Sequence, residues 1–508
     1  MKMIEIDGAT LNIEKVKKVA RDKEKVFFSE KTMEKVQKNW NALQEMLDRG
    51  DILYGVNTGI GAFGNIILSK DQGSELSKRM IRAHAAGWGN PLPEDEARAC
   101  LLLRANVLAR GYSGVRPKTL QMFAELLNKN IVPVIYEKGS VGTSGDLAPL
   151  AQMALVFMGE GEAFIDSKRM DAEKALKIKG LEKIELEARE GLALFNGAQT
   201  MTAIGTLAVY DAEKLLKNAQ IAAALTIDSL NAVTLAFDSR LHALRPFEGQ
   251  NIVAKNIRNL IDKSTVLMQK KKDTQSAYSL RCVPQVLGAS RDAIGYSRKQ
   301  VEIEMNSVAD NPIFLTEEKT YLAGGNFHGQ PVAYAMDLLG IAVSEIGNMA
   351  ERRVNRLLNP ALNAGLPAFL IAEGEGLNSG LMITQYTAAA LVSENKILAS
   401  PASVDSIPCS ADQEDHVSMG TIAARKAREI IRNTEAIVGI EFMCAAQAYE
   451  FQKPARLGAG TSIAYSVIRQ SIQKVKEDRI FYKDLDIMAL LMRNGKIIEE
   501  VEKTIKVI

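Results

Sequence analysis

Cysteine is scarce in this chain of 508 residues: Cys100, Cys282, Cys409 and Cys444 are widely spaced, with no Cys-x-x-Cys. That spacing argues against a disulfide framework and a structural zinc site, and it fits a reducing cytoplasm. Histidine is as rare, and His84, His242, His328 and His416 fall at no metal-ligand spacing such as H-E-x-x-H, so no metal is expected. Excess charge is also lacking. With 63 basic and 61 acidic residues the net charge is +2, which gives no electrostatic footing for nucleic acid or an anionic membrane. Long hydrophobic runs are missing too, since the most apolar stretch, residues 221–237, is interrupted by Asp228 and Asn231 and falls short of a membrane span. The first residues carry acids and no apolar core of the kind a secretory signal requires.

What the chain has in quantity is helical periodicity. Apolar residues at Met33, Val36, Trp40, Leu43 and Leu47 predict a helix opening at Ser29 and stopped by Gly50. Residues 71–89, 97–108 and 118–127 repeat the pattern, whereas the alternating Met3, Ile4, Ile6, Leu11 and Ile13 predict a small hairpin. Beyond Thr200 the chain is alanine-rich and persistently helical, as in residues 201–221 and 336–350, with proline nearly confined to loops. The expected fold is mainly α. Residues 201–508 form a bundle of long helices, and residues 1–200 form a smaller, loop-rich part of the same unit.

Chemistry concentrates in a few loops. Residues 139–154 read Gly-Ser-Val-Gly-Thr-Ser-Gly-Asp-Leu-Ala-Pro-Leu-Ala-Gln-Met-Ala. Within them Gly145 offers an uncrowded amide nitrogen, Ser144 a β-hydroxyl that can leave as water, and Gly142 a tight bend. Attack of the Gly145 nitrogen on the Thr143 carbonyl, with loss of two waters, would give a methylidene-imidazolone with an electrophilic CH2. The plainer reading makes Ser144 or Asp146 a helix N-cap ahead of Leu147, Leu150 and Met153. A second loop, residues 54–64, contains a literal G-x-G-x-x-G at Gly59, Gly61 and Gly64. It keeps a dinucleotide-dependent oxidoreductase as an alternative, although no helix opens directly after the glycines and no βαβ alternation follows. Elsewhere, Arg281 suits a substrate carboxylate, and Glu414 in Gln413-Glu414-Asp415-His416 suits an imidazole N–H better than a phenyl ring.

The string at 139–154 closely resembles the cofactor-forming segment of the aromatic amino-acid ammonia-lyases, and matching segments follow in order from about Tyr54 to Gly420. The resemblance implies a 4-methylidene-imidazol-5-one made from Thr143, Ser144 and Gly145, with no external cofactor. It implies Tyr54 as the base for the substrate β-proton and Arg281 as the carboxylate anchor. Asn196 and Phe327 would contact the cofactor, and Asn196, Gln275, Tyr278 and Phe327 would position or activate it, Asn196 and Gln275 also meeting the substrate. Members acting on histidine typically carry Ser-His where this chain has Ala83-His84, and Gln-Glu-Asp-His where it has residues 413–416. His84 and Glu414 therefore favour L-histidine, with trans-urocanate as product. Thr143 in place of the usual Ala, Ser276 in place of Asp, and Trp88 leave room for a tyrosine- or phenylalanine-acting lyase or a 2,3-aminomutase. A non-catalytic helical interaction protein is the blandest alternative. The family assembles its sites from several subunits, so a homotetramer acting on a small amino acid is expected.

Overall fold

Helices dominate the fold, as the alanine-rich periodicity predicts, and the strands are two to four residues long. The computed structural model describes residues 3–271, 273–374 and 376–508, with the backbone alone for Lys70. The chain divides into two compact units. The first comprises Met1–Tyr210, Ser297–Asp337 and Pro401–Arg425; the second comprises Asp211–Tyr296, Leu338–Ser400 and Lys426–Ile508. Four long helices, Gln199–Ser229, Val283–Glu304, Gln330–Leu358 and Gly420–Glu450, contribute residues to both.

In the first unit the expected N-terminal hairpin does not form. Ile4–Glu5 pairs in parallel with Val26–Phe27, and helix Ile13–Ala20 lies between them in sequence. Asn12 explains the difference: its side-chain oxygen accepts a hydrogen bond from the Lys15 amide at 2.9 Å, capping a helix that buries Ile13, Val16, Val19 and Ala20 on one face. The next helix, Glu30–Asp48, starts and stops where the sequence predicts, with Ser29 at its N-cap position and Gly50 at φ +88° just beyond its end. Its Leu43 and Met46 join Leu53, Val56 and Phe314 in a fully buried cluster. Leu53 and Val56 bracket Tyr54, so the cluster clamps the root of the glycine-rich loop. Each such side chain contributes roughly 1.5–3 kcal/mol by leaving water.

Helix Glu94–Ala109 of this unit is buried almost all round and still carries Arg98 and Arg104. Arg98 satisfies its guanidinium on the carbonyls of Val19 (2.8 Å) and Leu127 (3.1 Å), joining three helices. The second unit has its own buried ion pair. The guanidinium of Arg353 donates to both carboxylate oxygens of Glu441, at 2.6 and 2.8 Å, and Thr226 Oγ1 donates to the same carboxylate at 2.8 Å. No described helix is long and apolar enough to cross a membrane.

Candidate active site

Residues 139–146 lead into helix Leu147–Leu155, and Asp146 occupies its N-cap position without capping it. Its carboxylate turns away to accept hydrogen bonds from Ser140 Oγ (2.7 Å), Thr421 Oγ1 and the Met201 amide (2.8 Å). Burial pushes the Asp146 carboxyl up, against the pull of those three hydrogen bonds. Burial, together with the neighbouring Asp146 charge, also pushes Glu304 up to about 7. The plain capping role is thus replaced by a buried polar knot that ties the loop to two other helix starts.

The tripeptide itself is folded back. Thr143 and Gly145 pair antiparallel across Ser144, and Gly145 pairs in parallel with Gly197, whose carbonyl accepts the Asp146 N–H at 2.7 Å. Gly145 sits at φ +78°, and a β-carbon there would overlap the Gly197 backbone. Only glycine meets both demands. Ser144 Oγ donates to Glu414 Oε1 at 2.8 Å, linking residues far apart in the chain.

Asn196, immediately before Gly197, is held by its side-chain nitrogen, which donates to the Asn311 carbonyl at 2.7 Å; its Oδ1 is buried with no partner among the described residues. The segment is fixed from behind by an Arg–Asp–Arg cluster at zero exposure. Arg104 and Arg189 both reach Asp310 Oδ2, at 3.3 and 2.8 Å. Arg104 also donates to the carbonyl of Asn196 (2.9 Å) and to Gln199 Oε1 (2.8 Å), and Arg189 to the carbonyls of Ser113 (3.0 Å) and Asn311 (3.1 Å). Two buried guanidiniums on one carboxylate are tolerable because backbone carbonyls take up the remaining donors.

Tyr54 is half-buried, and its phenol oxygen accepts a hydrogen bond from the Gly61 amide at 2.8 Å. The loop closes on itself through Gly59 N to Ile66 O (3.0 Å) and Leu68 N to Asn57 O (2.9 Å), with a short 3-10 turn at Gly61–Phe63. A dinucleotide fold needs these glycines at a strand end opening a helix. Here they lie in a closed loop, and the next α-helix, Gly73–His84, starts well past Gly64, so that alternative is set aside. His84 ends this helix. Its Nδ1 donates to the Met80 carbonyl at 2.7 Å, in the tautomer that leaves Nε2 as an acceptor, and its ring stacks on Phe195 with centroids 4.7 Å apart. Phe327 is half-buried in the loop before helix Gln330–Leu358. Beside it the His328 ring stacks on His416 at 5.6 Å, and burial pushes His328 down. Trp88, on strand Trp88–Pro91, is 80% exposed.

The first unit therefore contains Tyr54, His84, Thr143, Ser144, Gly145, Asn196, Phe327 and Glu414, while Gln275, Tyr278 and Arg281 belong to the second. Gln275 is exposed, and Tyr278 opens the short helix Tyr278–Arg281 and is 70% exposed. The Arg281 guanidinium lies 4.5 Å from the Tyr278 ring centroid, and its Nε is buried with no partner among the described residues. Ser276, the departure from the family pattern, accepts the Val233 N–H at 2.8 Å. Sequence reasoning missed Arg104, Arg189 and Asp310. A signal for the first was present: an arginine inside the run Leu101-Leu102-Leu103-Arg104-Ala105 of a buried helix has to be paired. Among the described residues no three His, Cys, Asp or Glu side chains gather as a metal site would require.

A folded-back Thr-Ser-Gly, a buried asparagine and a tyrosine-bearing glycine loop, carried on a mainly helical chain, define a class. Residues 11–470 match the sequence model of the aromatic amino acid lyase family, and the chain belongs to that family. Within it, the chain is 51% identical to the histidine ammonia-lyase of Alkaliphilus metalliredigens (strain QYMF), covering 100% of both. Among solved structures it resembles the tyrosine aminomutase of Streptomyces globisporus (TM-score 0.96, 36% identity, 100% of both chains). It also resembles the histidine ammonia-lyase of Trypanosoma cruzi (TM-score 0.93, 38% identity, 99% of this chain and 96% of the other).

Proposed function

We propose that this protein eliminates ammonia from L-histidine to give trans-urocanate, acting in the cytoplasm as a homotetramer. The observation that carries the reading is the folded-back Thr143-Ser144-Gly145, with Ser144 held by Glu414 and Gly145 pressed on Gly197. The full-length identity to histidine ammonia-lyases supports it.

The residues present fit a 4-methylidene-imidazol-5-one. The backbone already doubles back across Ser144, and position 145 admits only glycine. The side chain of Thr143 lies outside the ring, so its hydroxyethyl group is compatible with closure. Formed there, this group supplies the electrophile that turns an amine into a leaving group. The chain's own side chains do the rest. Tyr54 takes the substrate β-proton at its phenol oxygen, which the Gly61 amide holds in place. Asn196 Oδ1 accepts from the substrate ammonium. His84 Nε2 and the Glu414 carboxylate are both acceptors, either of which an imidazole N–H can use and a phenyl ring cannot. Arg281 binds the carboxylate, with Gln275 and Tyr278 beside it, in an assembly whose sites draw on more than one chain. Phe327 would help to hold the methylidene-imidazolone.

Purified protein incubated separately with L-histidine, L-tyrosine and L-phenylalanine tests this. A conjugated acid and free ammonia from histidine alone are expected, together with an intact mass short of the sequence mass by two waters. A full sequence mass, or product from another amino acid only, defeats the reading. One observation favours a second outcome at the same site, the readdition of ammonia to the β-carbon: the likeness to a tyrosine aminomutase. A β-amino acid among the products would establish it.

A further inference from the structure

Building on the lyase reading, we infer that Glu414 serves the chain before it serves any substrate, by holding the Ser144 hydroxyl in the direction in which it leaves while the ring forms. The contact is direct, Ser144 Oγ to Glu414 Oε1 at 2.8 Å. Ring formation releases two waters and needs no oxidant. As the Gly145 nitrogen bonds to the Thr143 carbonyl carbon, the carbonyl oxygen departs with the amide protons of Gly145 and Ser144. The second water takes the Ser144 α-proton and hydroxyl, leaving a double bond between Cα and Cβ. That elimination depends on the angle between the Cβ–Oγ and Cα–H bonds, and an unheld serine distributes itself over three staggered rotamers. A hydrogen bond to a fixed acceptor selects one.

The acceptor is fixed. Glu414 and Cys409 exchange two backbone hydrogen bonds, Cys409 N to Glu414 O at 2.9 Å and Glu414 N to Cys409 O at 3.2 Å. The turn between them passes through Ser410, Ala411 and Asp412 at φ of 55°, 53° and 63°. Three successive L-residues avoid that left-handed conformation unless the surroundings impose it, and such segments cluster at functional sites. The surroundings are visible on two sides. Gly61 of the Tyr54 loop lies against the turn so closely that a β-carbon there would stand 2.8 Å from Ser410 Oγ. Past Glu414, the Met419 amide donates to the Val141 carbonyl (2.9 Å) and Ser418 Oγ to the Gly142 carbonyl (3.2 Å). The chain after Glu414 is thus tied to the chain before Thr143, and both ends of the Ser144–Glu414 contact are held by backbone.

The test follows maturation rather than turnover. Wild type, Glu414→Gln and Glu414→Ala are made by cell-free synthesis stopped at intervals, and the intact mass reports the loss of two waters; circular dichroism reports folding. Gln keeps a side-chain acceptor, so this variant matures within about threefold of wild type while losing turnover. Ala removes the acceptor and slows maturation about tenfold or more, the size of one lost hydrogen bond to a charged group. If Glu414→Ala lacks its helical signal, Glu414→Leu, which restores volume without an acceptor, is held to the same criterion. Acceptor-free variants that mature at the wild-type rate, or a Gln variant as slow as they are, overturn the inference. A wild-type chain that never loses two waters instead overturns the lyase reading, and the control sample alone shows it.

Discussion

Tyr54 has a phenol oxygen with one backbone donor on it and, among the described residues, no carboxylate or imidazole bonded to it, so its proposed role rests on that single group. Tyr54→Phe removes the oxygen without changing the ring. Turnover should fall by roughly 10²–10⁴, the usual share of a general base, while the intact mass should equal that of wild type apart from the substituted oxygen, because the proposed base step is separate from the proposed ring closure. A variant that turns over normally, or one that fails to mature, would contradict that division of labour. At this scale the sequence was most legible where a motif is contiguous: Thr143, Ser144 and Gly145 stand side by side, and Glu414 lies in a recognisable run. It was least legible where a function is shared across the chain. The cluster of Arg104, Arg189 and Asp310 exists only once three distant segments are folded together, and nothing near any one of them names the other two.

Among elements, the long helices were read correctly because each offers many turns of periodic apolar residues, and their ends carry local stop signals such as Gly50. The N-terminal hairpin was misread because a few alternating residues satisfy a strand and a helix equally, and one side-chain cap at Asn12 decides between them. The second unit contains a short helix, Ser239–Ala243. Its His242 is buried, donates from Nε2 to the Ala236 carbonyl at 3.0 Å and accepts at Nδ1 from Gln250 at 3.0 Å. The second bond needs the neutral ring, because a protonated Nδ1 cannot accept. Burial, with Arg258 nearby, pushes His242 below its ordinary 6.5, outweighing the Ala236 carbonyl and Asp238, which pull it up. Above 6.5 neither the folded nor the unfolded histidine is charged and the stability is intact. As pH falls through that value the unfolded chain binds a proton that the folded one refuses, and stability is lost. The wild-type unfolding midpoint in denaturant should therefore drop more between pH 7 and pH 5 than that of His242→Gln, which keeps hydrogen-bonding capacity and does not titrate. Parallel pH profiles would remove the effect from His242.

For the molecule as a whole, the proposed site residues are divided between the units, and two of those in the second unit, Gln275 and Tyr278, are exposed. In a homotetramer with shared sites, Tyr54→Phe and Tyr278→Phe chains, each nearly inactive alone, should regain activity when co-expressed, because some sites then receive both tyrosines. Mixed tetramers without activity would place every residue of a site on one chain. The interleaving within the first unit has a consequence in time. Its last segment, Pro401–Arg425, carries Glu414, which accepts from the Ser144 hydroxyl and lies 270 residues further along. A ribosome adding roughly 5–20 residues per second takes on the order of 10–60 s to cover that distance. For that interval the nascent chain holds Ser144 with no Glu414 yet made. If the proposed electrophile forms as inferred, translation sets its timing, with its serine synthesised early and its acceptor late.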